Sequence, residues 1–347
     1  MTSPSVPVVA FDASWADSNA TGAPQVAACL LEVLRGRTDI KVVPFMMRSA
    51  TDVPRAVRTM RSADVTFVPG QIAGFRADIS RLASRSLVVY VLDGIALARP
   101  EYFKSVASHR AALRSTRRLL SACSLIAYLS IAAEQQIAGL GIGGDIASSV
   151  IYPGVDHFPD RERSVGARDV VVIGTAFPHK ARVDAIRAFL QLAPEEQSVL
   201  HLVGREPAIG STVPAEHAII QRAYDPARIR SHAAVTTKQL DAILSSCRAC
   251  LVAAREEGFG LVPFELAKRG IVPLVHPCPA SVEVLPSECL VDFDNPPAVA
   301  ERLRRFLQDD HMTVAVCAAV NRRAQSFRWS LSSAAFAGAF ELAIRRR

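Results

Sequence analysis

The sequence predicts an α/β protein built from two parallel-sheet domains. Three observations carry this. Short apolar runs alternate with helical segments along the whole chain, a pattern that covers parallel sheets on both faces. The chain has 347 residues, too many for one typical domain and enough for two cores. Near its middle, residues 157–168 are charged, carry Pro159 and Gly166 and show no periodicity, so they read as a linker.

Taken in order, the first half places strands at Val8–Phe11, Lys41–Phe45, Val65–Val68, Leu87–Leu92, Leu125–Leu129 and Val150–Tyr152, with helices such as Pro24–Arg35 and Arg110–Ser121 between them. The second half places strands at Val170–Ile173, Val199–Val203, His217–Ile220, Cys250–Ala253, Val272–Val275 and Cys289–Asp292. Two similar series imply two Rossmann-like domains, 1–157 and 158–327. The tail from 328 to 347 is a helix, with Trp329, Phe336 and Phe340 available for packing on either domain.

Composition narrows the classes. Half of the residues are hydrophobic, yet no apolar run approaches the ~18 residues that span a bilayer. The start lacks a basic segment followed by an apolar one, and seven scattered cysteines fit a reducing compartment, so the expectation is cytoplasmic. Cys247 and Cys250 have redox or zinc spacing, but they stand alone at the entry to a core strand and read as small buried hydrophobes. The net charge of +7 is moderate. Its densest cluster, Arg110, Arg114, Arg117 and Arg118 beside Leu113, Leu119 and Leu120, fits either a peripheral membrane contact or an ordinary solvated helix face. Aromatics are 6% of the chain and no recognition motif is present, so no nucleic-acid partner is expected.

The chemistry concentrates between Glu257 and Glu265, two carboxylates with seven residues between them. A buried strand feeds a loop broken by Gly258 and Gly260, and Pro263 stands where a helix begins. Strand, glycine turn and helix N-terminus together form an anion site. Two hydroxyl-accepting carboxylates flanking a backbone-bound phosphate suggest a nucleotide-sugar.

The run from Leu240 to Leu307 resembles the nucleotide-binding half of the family-4 retaining glycosyltransferases of GT-B fold (glycosyl transferases group 1). Their E-x7-E signature is matched by Glu257 and Glu265. Ala267 to Gly270 before the strand Val272–His276, then Ser281 to Leu285 and Cys289 to Phe293, continue the likeness. Arg99 to Phe103, Ser130, and Gly154, Val155 and Asp156 extend it over nearly the whole chain.

The resemblance implies a GT-B fold with two Rossmann-like domains whose parallel sheets face each other across a cleft, the first on the acceptor side and the second binding the donor. It implies a C-terminal helix that crosses back to the first domain. It further implies a metal-independent, retaining hexosyltransferase with no cofactor. The donor would be GDP-mannose or a UDP-hexose, with mannose preferred because the loop from Gly174 to Lys180 is similar to that of many mannosyltransferases. The acceptor would be a glycan or a lipid-linked oligosaccharide of surface polysaccharide synthesis.

Site roles follow by position. Gly22 brings backbone to the donor diphosphate. Gly174 and Thr175 open a loop ending in Lys180, whose ammonium clamps the leaving diphosphate. His179 stands where many relatives have a second basic residue. Arg205 lies near the base or diphosphate. Glu265 accepts from the ribose hydroxyls, Glu257 contacts the donor sugar, and the backbone of Gly258, Phe259, Gly260 and Leu261 holds phosphate or sugar. Asp93 matches the family's acidic residue, and Glu257, Lys180 and Asp93 form the catalytic set. A phosphate oxygen of the donor takes the acceptor proton in that family.

Two positions depart from the pattern. Leu92 replaces a histidine, and Ala253 and Ala254 replace Pro-Ser. The first motivates an alternative, a donor-binding scaffold without turnover; a GT-B sugar-nucleotide epimerase is the other. Asp292 and Asp294 have the D-x-D form of a metal-diphosphate site, but they close the last expected strand before Asn295, so no metal is expected.

Overall fold

The computed structural model describes residues 6–16, 22–70, 74–159, 166–233 and 235–346. Residues 160–165 of the expected linker lie outside them. The chain divides into two compact units, residues 1–157 with 327–347, and residues 158–326.

The first unit runs β1 (Val8–Asp12), α1 (Ala23–Arg35), β2 (Lys41–Phe45), α2 (Val53–Ser62), β3 (Val65–Val68), α3 (Phe75–Ala83), β4 (Leu87–Val91), α4 (Val106–Leu120), β5 (Leu125–Tyr128), α5 (Ile131–Ala138) and β6 (Ser148–Val150). Its sheet is ordered β2-β1-β3-β4-β5-β6, and every pairing is parallel. All residues of β3, β4 and β5 are buried, which is why these strands read as continuous apolar runs rather than alternating ones.

The second unit runs β7 (Asp169–Ile173), α6 (Arg182–Phe189), β8 (Leu200–Val203), α7 (Val213–Ile220), β9 (Ile229–His232), α8 (Thr237–Ser246), β10 (Cys247–Val252), α9 (Val262–Lys268), β11 (Val272–Val275), α10 (Pro279–Val284), α11 (Pro296–Gln308) and α12 (Asp310–Ala324). Its parallel sheet is ordered β11-β10-β7-β8-β9. The loops after β7, β8 and β10 therefore leave the carboxyl ends of three adjacent strands, the edge where open α/β sheets bind ligands.

The last helix, α13 (Trp329–Arg345), belongs to the first unit. Phe336 and Phe340, one turn apart, meet Phe67 with ring centroids at 4.9 and 5.3 Å. Phe336 also meets Tyr90 edge-on at 5.0 Å. Trp329 packs so closely on Gly154 that a Cβ there would fall 2.4 Å from the indole.

Three expected strands differ. The one expected at Val150–Tyr152 lies earlier, as β6 at Ser148–Val150. His217–Ile220 is the second half of α7, which has a proline at its start; β9 takes the edge position instead. A four-residue apolar run does not separate strand from helix by periodicity. Cys289–Asp292 forms a single bridge, Leu290 to Val275, after a 3₁₀ turn at Ser287–Cys289. In the basic helix, α4 begins earlier than Arg110 because Ser105 and Ser108 make a reciprocal N-terminal cap. Leu119 and Leu120 are buried in the first unit's core with Leu113 packed beside them, so the apolar stripe of α4 is used internally.

Candidate active site

β7 ends at Ile173, and Gly174 follows with its N–H bonded to Val203 O at 2.9 Å. Gly204, just past β8, lies directly against it. A Cβ on Gly204 would fall 2.0 Å from Gly174 O, and its φ of +150° disfavours any other residue. The two loops thus touch backbone to backbone. Ala176 N–H reaches Arg205 O at 3.0 Å, which ties Thr175 and its neighbours to the exposed Arg205 segment.

Beneath this loop lies a buried ion pair. Arg182 and Glu216 meet at 3.0 Å with side chains 4% and 2% exposed. Arg182 also donates to Gly174 O at 3.0 Å. Thr212 Oγ1 donates to Glu216 at 2.7 Å and lies 3.0 Å from Ala176 O. Burial lowers the Arg182 pKa and Glu216 opposes the shift. Arg182 thus holds the Gly174 carbonyl and Thr212 N–H the Ala176 carbonyl, at 2.9 Å, which leaves Lys180 as the cation nearer solvent, with its side chain 27% exposed.

Lys180 closes a 3₁₀ turn, Pro178–Lys180, and Ala181 after it is left-handed at φ 47°, ψ 39°. Gly174 is close by, its Cβ position 3.9 Å from the Lys180 stem. His179 is buried and stacked on Phe177 at 5.6 Å. Lys180 Nζ donates to both oxygens of Glu257, each at 2.8 Å. Two residues assigned separately from the sequence therefore form one bidentate pair.

The Glu257 loop leaves β10, whose Cys247 and Cys250 are buried free thiols, pushed up by burial, Cys247 to about 12. Phe259 is buried and stacks on Phe264 at 5.7 Å; only its backbone is available to a ligand. Gly260 follows at φ 88°. In α9, Glu265 is one turn before Arg269, 3.7 Å away, and Arg269 is itself bound to Asp241 at 2.8 Å. Burial raises the Glu265 carboxyl pKa, Arg269 opposes this and Asp241 adds to it.

Arg255 belongs to no motif of the sequence. Its N–H donates to His179 O at 2.8 Å. Its guanidinium reaches Asp184 at 2.8 Å, Asp294 at 2.7 Å and His276 Nε2 at 3.1 Å. His276, Asp292 and Asp294 bring one donor atom each within 4.8 Å of one another, a grouping that would suit a cation and that Arg255 already engages.

Asp93 and Gly22 belong to the first unit. Asp93 follows β4, and its Oδ1 accepts from Ile95 N–H at 3.0 Å; Leu92 beside it is buried. Gly22 is the N-cap of α1. Asp12, at the end of β1, is fully buried and bound to Arg76 at 2.7 Å, an ion pair with no signal in the linear sequence.

Residues 156–325 match the family model of Glycosyl transferases group 1. No curated protein matches the sequence. Among solved structures, Anabaena HepE in complex with UDP and glucose is similar, with a TM-score of 0.72 and 17% identity over 97% of this chain and 100% of that one. Sucrose-phosphate synthase from Thermosynechococcus elongatus gives 0.69 and 13% over 96% and 98%. An alpha,alpha-trehalose-phosphate synthase (UDP-forming) from Burkholderia xenovorans gives 0.65 and 11% over 96% and 99%. At such identities the likeness is one of fold, and the fold is GT-B.

Proposed function

We propose that the chain is a retaining, metal-independent glycosyltransferase that moves a hexose from a nucleoside-diphosphate hexose to a glycan or lipid-linked acceptor. The observation that carries this is the bidentate Lys180–Glu257 pair beside the Gly174 loop. The pair is mostly buried, with side chains 27% and 16% exposed, and it joins the two loops through one ammonium and one carboxylate. A diphosphate carries more negative charge than one carboxylate, so it takes the ammonium from Glu257.

That exchange sets the roles. Lys180 stabilises the charge that grows on the leaving diphosphate. Glu257, released, accepts from a hydroxyl of the donor sugar. Glu265 accepts from the ribose hydroxyls, and the amides from Gly258 to Leu261 face phosphate or sugar. Gly174, Thr175, Arg205 and Gly22 contribute at the diphosphate, and Asp93 at the reacting sugar. The names of the structural neighbours favour a UDP-hexose over GDP-mannose, since HepE was solved with UDP-glucose and the trehalose-phosphate synthase is UDP-forming.

The test is a thermal-shift panel of UDP, GDP, UDP-glucose and GDP-mannose, because a ligand at ~100 times its Kd stabilises by about 2.7 kcal/mol. Uridine compounds are expected to raise the melting temperature most. Glu265→Ala is expected chiefly to weaken nucleotide binding, and Lys180→Ala chiefly to slow transfer. A panel without any shift sinks the reading. The buried Leu92, where the resembled family has histidine, favours a second reading, a donor-binding protein without turnover. Normal nucleotide affinity with neither transfer nor donor hydrolysis would establish it.

For a lipid-linked acceptor, the exposed arginines 110, 114, 117 and 118 on α4 supply attraction to anionic lipid by charge alone, since its leucines face the core. Among the described residues no helix is long and apolar enough to cross a membrane.

A further inference from the structure

We infer that Arg255 is a positioning residue, a brace that sets Lys180 and Glu257 at their working distance before any ligand arrives. The inference rests on the roles proposed above for those two residues. Arg255 stands two positions before Glu257, and its N–H is bonded to the carbonyl of His179, the residue before Lys180. One backbone hydrogen bond thus joins the two loops directly. The guanidinium then fixes the joint from the other side, reaching Asp184 in the first turn of α6, Asp294 beyond β11 and His276 at the end of β11.

The charges are arranged for this purpose. Burial works against the Arg255 cation, but hydrogen bonds to Asp294 and Asp184 outweigh it, and its pKa is raised. An arginine only donates, so the His276 contact needs a lone pair on Nε2 and an uncharged ring. Burial and the facing Arg255 lower the His276 pKa, against the pull of Asp292, Asp294 and Asp184. A guanidinium in a fixed fork reaches several acceptors at once, which an ammonium does not do.

The Lys180–Glu257 ion pair is a single side-chain link between the two loops. Arg255 makes four polar contacts around the same joint. When a diphosphate displaces Glu257 from Lys180, the Arg255 contacts persist, and both side chains stay within reach of the donor.

The experiment is competitive acetylation of the full chain without ligand, with Lys180 read by mass spectrometry against the exposed Lys238 as internal standard. Arg255→Ala is expected to raise the relative rate at Lys180 about fivefold, which corresponds to about 1 kcal/mol of lost restraint. Asp294→Asn removes one partner whose side chain is 68% exposed, leaves the core alone and is expected to give a smaller change in the same direction. Unchanged Lys180 reactivity in both variants overturns the inference, whatever the protein catalyses. In turnover with UDP-glucose, Arg255→Ala is expected to lower kcat about 10- to 100-fold, as misplacement by ~1 Å does, with donor KM held within about threefold. A rise in KM with kcat intact overturns it, because the residue would then bind rather than position. If acetylation changes as expected but no nucleotide binds the parent chain, the brace stands and the transferase reading falls.

Discussion

At the scale of the residue, the support beneath the Gly174 loop makes the sharpest prediction. Arg182 and Glu216 are both almost fully buried, so removing either leaves an uncompensated charge away from water. Such a loss costs about 3–5 kcal/mol. Glu216→Ala is therefore expected to lower the stability of the second unit by that amount, read from chemical unfolding followed by circular dichroism. Replacing both with Met and Leu is expected to recover most of the loss, because an apolar pair of similar volume strands no charge. A single variant as stable as the parent would show that the pair is solvated. None of this was legible in the sequence: Glu216 sits in a segment read as the approach to a strand, and Arg182 was eclipsed by the motif lysine beside it. Arg255 was missed for a related reason, since its partners Asp184, His276 and Asp294 are separated by whole βα units. Only the fold brings them to one place.

At the scale of the element, the reading was good where an apolar run was bounded by turn residues and poor where the run was short and flanked by helix-compatible residues. β3 and β4 lie where their apolar runs place them, because burial on both faces favours a continuous apolar stretch. His217–Ile220 failed because α7 keeps one residue buried, Glu216, so its apolar residues carry no helical stripe. The contact between the loops after β7 and β8 is a second element-scale feature. Gly204 was read as a strand end bearing a cation, yet its function is to let two backbones touch. Gly204→Ala would drive a Cβ to 2.0 Å from Gly174 O at a φ that L residues rarely adopt. Backbone strain of ~1–3 kcal/mol and overpacking of ~1–3 kcal/mol act together. The variant is expected to lose about 2–5 kcal/mol and to weaken UDP binding, measured by calorimetry, since Lys180 hangs on the displaced loop. Retained affinity would show that the Gly174 backbone does not approach the donor.

At the scale of the whole molecule, the distribution of titrating groups makes stability depend on pH in a definable direction. His201 and His232 stack with ring nitrogens 3.1 Å apart, and His201 also reaches Asp169 at 3.2 Å. Burial, then His201 and Arg230, lower the His232 pKa from 6.5. His276 is lowered from the same value by burial and Arg255. A depressed histidine binds its proton less readily folded than unfolded. Its contribution is therefore complete above about pH 7 and is lost as pH falls through 6.5 toward the folded pKa, because the unfolded chain takes protons that the native state refuses. Glu265, with a raised pKa, acts in the opposite sense, from its displaced pKa down toward the ordinary carboxylate range. Both histidines lie in the second unit, whereas both tryptophans, Trp15 and Trp329, lie in the first. Fluorescence therefore follows the first unit, and the amide circular dichroism signal is needed to see the second. The urea midpoint by circular dichroism is expected to fall between pH 7.5 and pH 5.5, and His232→Asn is expected to flatten that fall while His276 retains the remainder. An unchanged slope in His232→Asn would mean that His232 is protonated in the folded protein at no cost.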